Sequence, residues 1–369
     1  MKKSFDEIFE DFTKFGTKIK TDEYHETGKH IIIDQGQSEI AGYTDLEDGL
    51  FKAVPAIIFG DHTRVVKYID KPFFLGADGV KVLRSRFADT NYRYLYYALK
   101  NAKVPDTGYN RHYKWLKELD FEYPDSGRQL DVVSILDKVA SVIDNRQRQL
   151  QKLDELVKVR FVELFGDPIS NSFGLNTKPM TDICEIIDGD RGKNYPTTDD
   201  FSDDGYCLFL NAKNVTSDGF NFENCMYITE EKDAALRKGR LKRGDVVLTT
   251  RGTIGNLAFY TNEIPFEHVR INSGMVILRM KQEVADEVYF IEHFKMQLAD
   301  IKAKIASGSA QPQLPISTMN NIQILIPGIE QQREFADFVK QIDKSKAAVQ
   351  KALDEAQVLF DCLMQEYFG

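Results

Sequence analysis

The chain has 369 residues, 42% of them hydrophobic, and a formal net charge of −9. That is material for two or three soluble domains with ample core. It contains no apolar run of roughly eighteen residues, and the opening Met1-Lys2-Lys3-Ser4-Phe5-Asp6-Glu7 turns acidic before an apolar stretch can form. A membrane span and a secretory leader are therefore not expected, and the cytoplasm is the expected location. Cys184, Cys207, Cys225 and Cys362 stand far apart with no Cys-x-x-Cys pair, which argues against a zinc knuckle or a disulfide framework. The acidic balance is awkward for a lone nucleic-acid binder. Basic residues do cluster at 237–243 and 111–117, so a positive face can coexist with acidic surface, although on charge alone both runs read as solvated loops.

Along the chain, His30-Ile31-Ile32-Ile33-Asp34 and the run 53–60 are apolar strands bounded by turn residues, and a helix follows over 91–100. After Tyr123-Pro124, residues 129–165 lack Pro and Gly, with Leu136, Ile143, Leu150 and Val157 at steps of seven. A helix of that length measures roughly 55 Å, the length of a spacer. The pattern then restarts. Strands at 206–210 and 244–250 and a helix over 286–304 lead to Ile326-Pro327 and a second long helix over 329–368, with Ile342, Val349, Ala356 and Leu363 again at steps of seven. Arg146, Ser345 and Lys346 interrupt these seams, which makes the coiled coil imperfect.

The repetition can be followed in detail. Asp131, Val133, Asp137 and Lys138 recur at an offset of 206, whereas Glu163-Leu164-Phe165-Gly166 matches Glu366-Tyr367-Phe368-Gly369 at 203. A three-residue length difference within the helices is the expected cause. Residues 56–63 overlie 246–253 at an offset of 190, and 79–84 resemble 274–279 at 195. The loops differ where the strands agree. The fold class expected is α+β, with two pseudo-repeated mixed α/β blocks, 1–128 and 167–328, separated by two long antiparallel coiled-coil helices, 129–166 and 329–369.

Catalytic equipment is missing from the sequence. It has no Asn-Pro-Pro-aromatic motif of amino-methyltransferases, no phosphate loop ending in Gly-Lys-Ser/Thr and no Gly-x-Ser-x-Gly elbow. Pro124-Asp125 lacks a downstream acidic-x-Lys partner, and the six histidines show no i, i+4 pairing.

The strings Ile32-Ile33-Asp34-Gln35-Gly36-Gln37, Ile57-Ile58-Phe59-Gly60-Asp61-His62-Thr63, Gly76-Ala77-Asp78-Gly79 and Gly108-Tyr109-Asn110-Arg111-His112 resemble one subgroup of target recognition domains of the specificity subunit of type I restriction-modification systems. The second block resembles another subgroup through Asp190-Arg191-Gly192-Lys193-Asn194-Tyr195-Pro196, Asn211-Ala212-Lys213-Asn214-Val215, Arg251-Gly252-Thr253-Ile254-Gly255 and Arg270-Ile271-Asn272-Ser273-Gly274. The resemblance covers nearly the whole chain. It implies a subunit without chemistry of its own that binds a bipartite, asymmetric double-stranded DNA target, one half per recognition domain, with the paired helices fixing the spacing. It also implies two methylase subunits that bring S-adenosylmethionine and methylate adenine N6, and restriction subunits that use ATP and Mg. A related system without the ATP-driven motor and a coiled-coil assembly scaffold are the alternatives, as is a nuclease or methylase in its own right. One departure is the short lead-in before the first block. The matching helix ends suggest a quasi-circular arrangement with neighbouring termini.

Arg suits guanine, Asn or Gln suits adenine, and Lys suits phosphate. The candidates for DNA contact are Gln35, Gln37, His62, Arg64, Asn110, Arg111, His112 and Lys114 in the first block. In the second they are Lys193, Asn194, Asn211, Lys213, Asn214, Arg251, Thr253, Asn272, Gln311 and Gln313. Asn in tight loops also serves turns, and Asp78 and Trp115 read as structural.

Overall fold

The computed structural model describes residues 1–76, 78–306 and 313–369. Two compact units emerge, unit 1 formed by Met1–Arg148 with Gln350–Gly369 and unit 2 by Gln149–Val349.

Unit 1 contains β1 (Lys2–Ser4), α1 (Phe5–Ile8), β2 (Phe9–Asp11), β3 (His30–Ile33), β4 (Gly42–Thr44), β5 (Ala56–Gly60), β6 (Val66–Ile69), β7 (Phe73–Leu75), β8 (Val80–Ser85), α2 (Tyr92–Lys100), α3 (Tyr113–Leu116), β9 (Asp120–Glu122) and the first part of α4 (Ser126–Phe165). An antiparallel sheet runs β2-β8-β5-β6, a second runs β4-β3-β7 with β3 and β7 parallel, and β1 pairs with β9. Strand β5 is buried along its whole length, and its side chains alternate between two cores. Ile57 and Phe59 join α2 and the long helices, whereas Ala56 and Ile58 pack against Phe73, Leu75 and Val82. Period-two alternation between two apolar layers explains why the run contains no polar residue.

Unit 2 repeats the plan with β10 (Thr177–Pro179), α5 (Met180–Ile183), β11 (Cys184–Asp188), β12 (Cys207–Leu210), β13 (Val215–Thr216), β14 (Gly219–Phe220), β15 (Tyr227–Ile228), α6 (Glu230–Ala235), β16 (Asp245–Thr249), β17 (Leu257–Phe259), β18 (Val269–Ile271), β19 (Met275–Met280), α7 (Glu287–Ala306), α8 (Ile316–Met319), β20 (Gln323–Leu325) and part of α9 (Ile329–Phe368). Its sheets are β11-β19-β16-β17 and β15-β12-β18, with β12 parallel to β18, and β10 pairs with β20. Strand for strand this is the order of unit 1. The β13–β14 hairpin and α6 have no counterpart among the described residues of unit 1.

The register corrects the sequence overlay. Ile57 lies opposite Leu83 and Val246 opposite Leu278, so β5 corresponds to β16 at an offset of 189 rather than 190. One residue matters in a strand, because a slip of one moves every side chain to the other face. His62, not Asp61, therefore stands where Arg251 stands.

The helices carry a second correction. Both α4 and α9 have 40 residues, so no three-residue difference lies within them, and α4 begins at Ser126, ahead of the expected start. At the single offset of 203, Val132, Val133, Leu136, Val157 and Phe161 match Phe335, Ala336, Val339, Phe360 and Met364, and all ten are buried. Of the matches at 206, Val133 and Val339 are both buried but align with other residues at 203, and the remaining three link exposed or half-buried positions. In unit 2, Lys346 pairs with Asp154 at 2.6 Å and Phe335 packs edge-on to Phe161, so these stretches of α9 and α4 run antiparallel. In unit 1 the same packing joins Val132 and Leu136 to Phe360 and Met364. Gly166 ends α4 with φ +76°, a left-handed cap in which its amide donates to Val162 O at 2.8 Å.

A buried glutamine locks each long helix to its block. Gln129 Oε1 accepts from Asn91 N and its Nε2 donates to Pro124 O, both at 3.0 Å. Gln332 repeats this with Asp286 N at 3.0 Å and Pro327 O at 2.9 Å. The termini are neighbours, as expected. The Met1 ammonium meets the Glu122 carboxylate at 3.3 Å, Tyr94 Oη donates to Glu122 O, and Phe368 packs on Tyr94.

Candidate nucleic-acid interface

In each unit the loop after the central strand meets the segment that precedes α3 or α8. In unit 1, His112 N donates to Asp61 O at 2.7 Å, and in unit 2, Leu314 N donates to Thr250 O at 2.9 Å. These bonds set His62 beside Asn110 and Arg111, and Arg251 opposite Gln313 in a short bridge. Five candidates thus occupy equivalent tips.

At the tip of unit 1, Gln35 works as a clasp. Its Nε2 donates to Asp78 O at 2.8 Å, its Oε1 accepts from His62 N at 3.1 Å, and its carbonyl accepts from Thr63 Oγ1 at 2.6 Å. The amide is engaged in joining three loops. His112 is buried, with Nδ1 on Asp61 O at 3.0 Å and Nε2 beside Thr107, so it braces the loop from inside. Arg64 takes a left-handed conformation and pairs with Asp106 at 2.7 Å. The Gly108 amide and the Arg64 guanidinium together hold the Asp106 carboxyl below the usual carboxylate range. Asn110 donates its side-chain amide to Thr107 O. Gln37, Arg111 and Lys114 are exposed, and Lys114 lies over the Trp115 ring at 4.6 Å. Sequence reasoning passed over Tyr109, an exposed ring stacked on His62, and Lys18, which pairs with Asp78 at 2.7 Å. The Lys18 ammonium, helped by Arg111 and His62, holds Asp78 below its ordinary value.

At the tip of unit 2, Asp188, Arg191, Thr250, Arg251, Gln313 and Leu314 are among the residues around a cleft of about 250 Å³. Arg191 reaches Asp188 at 3.1 Å and Ser273 O at 3.2 Å. Asn272 Oδ1 accepts from Gly274 N at 2.8 Å, and Gly274 O in turn accepts from Thr250 N and Arg251 N. Asn272 therefore shapes the turn, while the Arg251 side chain stays exposed. Thr253 is exposed, and its carbonyl accepts from Thr249 Oγ1. Asn211 and Asn214 are also turn-builders. Asn211 Oδ1 accepts from Lys213 N, and buried Asn214 donates to Asn221 O and Asn224 O, holding the β13–β14 hairpin. Asn194 donates to Ala235 O at 3.0 Å. Lys193 and Lys213 make no side-chain hydrogen bond or ion pair among the described residues and point into solvent. Gln311 lies outside the described residues.

Two buried ionic centres support this tip. Burial opposes ionisation of Asp190, but the Gly192 and Arg237 amides and the Arg237 guanidinium outweigh it and hold the carboxyl far below the usual range. Asp233 on α6 is fully buried against Arg270 and Arg240, and Arg270 also donates to Lys238 O, Asp233 O and Leu236 O. Arg270, part of a string quoted for the resemblance, is thus internal scaffolding. Among the described residues no helix is long and apolar enough to cross a membrane, and no cluster of three His, Cys, Asp or Glu side chains forms a metal site.

Known proteins share this arrangement. The sequence model of the type I restriction modification DNA specificity domain matches residues 174–356. The type I restriction enzyme EcoR124I/EcoR124II specificity subunit of Escherichia coli is 28% identical over 149 residues, covering 36% of each chain. The match therefore spans about a third of that curated relative. The S subunit of the type I restriction-modification system of M. genitalium aligns with a TM-score of 0.60 at 19% identity, covering 100% of this chain and 96% of its own. A chain from a structure on complex assembly and conformational transition of the type I R-M system aligns at 0.55 and 14% identity, covering 100% and 97%. At such identities the likeness shows a common fold over the whole chain.

Proposed function

We propose that this chain, which belongs to the type I restriction-modification specificity family, is the DNA-recognition subunit of such a system and binds a two-part, asymmetric target, one half per unit. The observation that carries the reading is a single β framework built twice with unlike exposed tips. Identical frames presenting His62, Arg111 and Lys114 in one unit and Lys193, Arg251 and Gln313 in the other suit two different base sequences. Arg111, Arg251 and Gln313 would face base edges, where each good bidentate pair discriminates by about 1–3 kcal/mol. Lys114, Lys193 and Lys213 would meet phosphates, fixing position without reading sequence.

The partners in this reading are two methylase subunits, which carry S-adenosylmethionine and methylate adenine N6, and restriction subunits that supply ATP- and Mg-dependent translocation and cleavage. The chain itself would be non-catalytic, in keeping with the missing catalytic motifs, and would act in the cytoplasm. Partner surfaces would provide much of the phosphate contact, which reconciles a net charge of −9 with DNA binding. A methylase must extrude its adenine from the stack, so distortion of the duplex would be shared between reader and methylase.

Selection from a pool of random duplexes by the complex of this chain with its methylase subunit tests the reading. Two short specified blocks separated by a fixed unspecified gap are expected. An uninterrupted motif, or no enrichment, would overturn it.

A further inference from the structure

We infer that Tyr109 is a stacking residue that lays its open ring face against a nucleobase in the half-site bound by unit 1; the inference rests on the DNA-recognition reading above. Tyr109 is 89% exposed, the largest exposure among the exposed large hydrophobic side chains. Its ring nevertheless has a fixed plane, lying on the His62 imidazole at 4.8 Å with only 9° between them. An exposed tyrosine that served only the fold would gain little from this, because most of its apolar surface remains in water.

The loop beneath it is braced from several sides. Asp106 accepts from Gly108 N at 3.0 Å with one oxygen and from Arg64 at 2.7 Å with the other. Asn110 Nδ2 donates to Thr107 O at 2.5 Å, and Asn110 N donates to Gly108 O at 2.8 Å. His62 is held by Asn110 O at its ring and by Gln35 at its backbone, and Gln35 is tied to Asp78 O. Gly108 has φ +74° while a Cβ there would meet nothing within 4 Å, so the glycine provides the conformation that swings Tyr109 outward rather than room for a neighbour.

One face of the phenol is thus covered by a flat aromatic ring and the other is open. The nearby carboxylates of Asp78 and Asp106 are neutralised by Lys18 and Arg64, and Arg111 stands beside the stack to meet a phosphate or a base edge. A preset aromatic plane next to unneutralised positive charge is the arrangement that takes a nucleobase, and it is tolerant of base identity because every base has a π face. The base becomes available when a step is unstacked by insertion or when the duplex opens around an extruded adenine. In unit 2 the equivalent tip is the cleft beside Arg251, with a guanidinium in place of the imidazole.

The test uses the complex with the methylase subunit and a duplex carrying its selected motif, with 2-aminopurine placed at successive positions. Wild type and Tyr109→Phe are expected to change the fluorescence at one position in the half-site of unit 1. Tyr109→Ala and Tyr109→Leu are expected to lose that change and to bind roughly 10- to 100-fold more weakly. Unchanged affinity and an unchanged 2-aminopurine profile in Tyr109→Ala would overturn the inference while leaving the DNA-recognition reading in place. Weaker binding without any 2-aminopurine response in wild type, accompanied by faster hydrogen exchange over 104–112 in the variant, would make Tyr109 a loop brace and also overturn it. A wild-type complex that selects no motif is a separate outcome, in which the underlying reading itself fails.

Discussion

Unit 1 and unit 2 use the same strand order, the same parallel pair and the same glutamine lock, yet they stiffen their tips by different means. Unit 1 relies on hydrogen bonds near its surface: the Gln35 amide, the buried His112 on Asp61 O and the turn at 106–110, where the exposed Asp106 carboxylate takes the Gly108 amide and the Arg64 guanidinium. Unit 2 relies on buried carboxylates, Asp233 paired with the equally buried Arg270 and Asp190 held by the exposed Arg237, with Asp233 on α6 and Arg237 on the loop that follows it. A hydrogen-bonded clasp near the surface tolerates the loss of one bond at modest cost, whereas a buried ion pair such as Asp233–Arg270 fails when either member is removed. The difference teaches that frame and tip are separable in this fold, with sequence freedom confined to tips that carry their own internal support.

The largest effect that would sharpen this contrast is Asp233→Ala. It leaves Arg270 buried beside an empty acceptor and is expected to destabilise unit 2 by about 3–5 kcal/mol, with unit 1 unaffected when hydrogen exchange is followed peptide by peptide. Replacing both partners, Asp233→Leu with Arg270→Met, is expected to recover part of that loss.

Acid should separate the units next. Burial holds the His293 imidazole down to about 3, while Ala98 takes its place on α2. The unfolded chain binds a proton near the ordinary histidine value of roughly 6.5. His293 therefore contributes its full stability above that pH and loses it as pH falls towards the folded value, by up to about 5 kcal/mol. Unit 2 is expected to open at higher pH than unit 1 on this account, and His293→Phe should narrow the gap. An acid transition in which unit 1 opens first would break the comparison.

A smaller and symmetric effect is expected from the shared lock. Gln129→Ala and Gln332→Ala each orphan a buried backbone amide and carbonyl, at about 2–3 kcal/mol in their own unit. Chemical denaturation followed by exchange should give similar losses. A loss confined to one variant would show that the lock is not equivalent.

Much of this frame was legible in the sequence, because apolar strands and heptad steps are patterns of burial and burial is what duplicates. The finer overlay failed where the pattern has no phase. Residues 56–60 and 245–249 are buried on both faces, so alternation between core and solvent does not set their register and the overlay slipped by one residue. In the long helices, chance identity of exposed Asp131 and Asp337 outweighed the buried positions, which align at 203. Candidate readers divided along the same line. Arg111, Arg251, Gln313, Lys193 and Lys213 are presented to solvent, whereas His112, Asn211, Asn214 and Asn272 build loops. Residue type cannot distinguish a polar side chain that holds a turn from one that the turn holds out. Tyr109 was overlooked because an aromatic residue reads as core until its exposure is known.

The most direct measurement is single-molecule methylome sequencing of cells that express this chain with its methylase subunit, comparing wild type with Arg251→Ala and Arg111→Ala. The account predicts N6-methyladenine in a split motif with a fixed gap. Arg251→Ala should relax the bases of one half only, by a factor of roughly ten or more, and Arg111→Ala only those of the other. A continuous motif, or relaxation of the same bases by both substitutions, would contradict it.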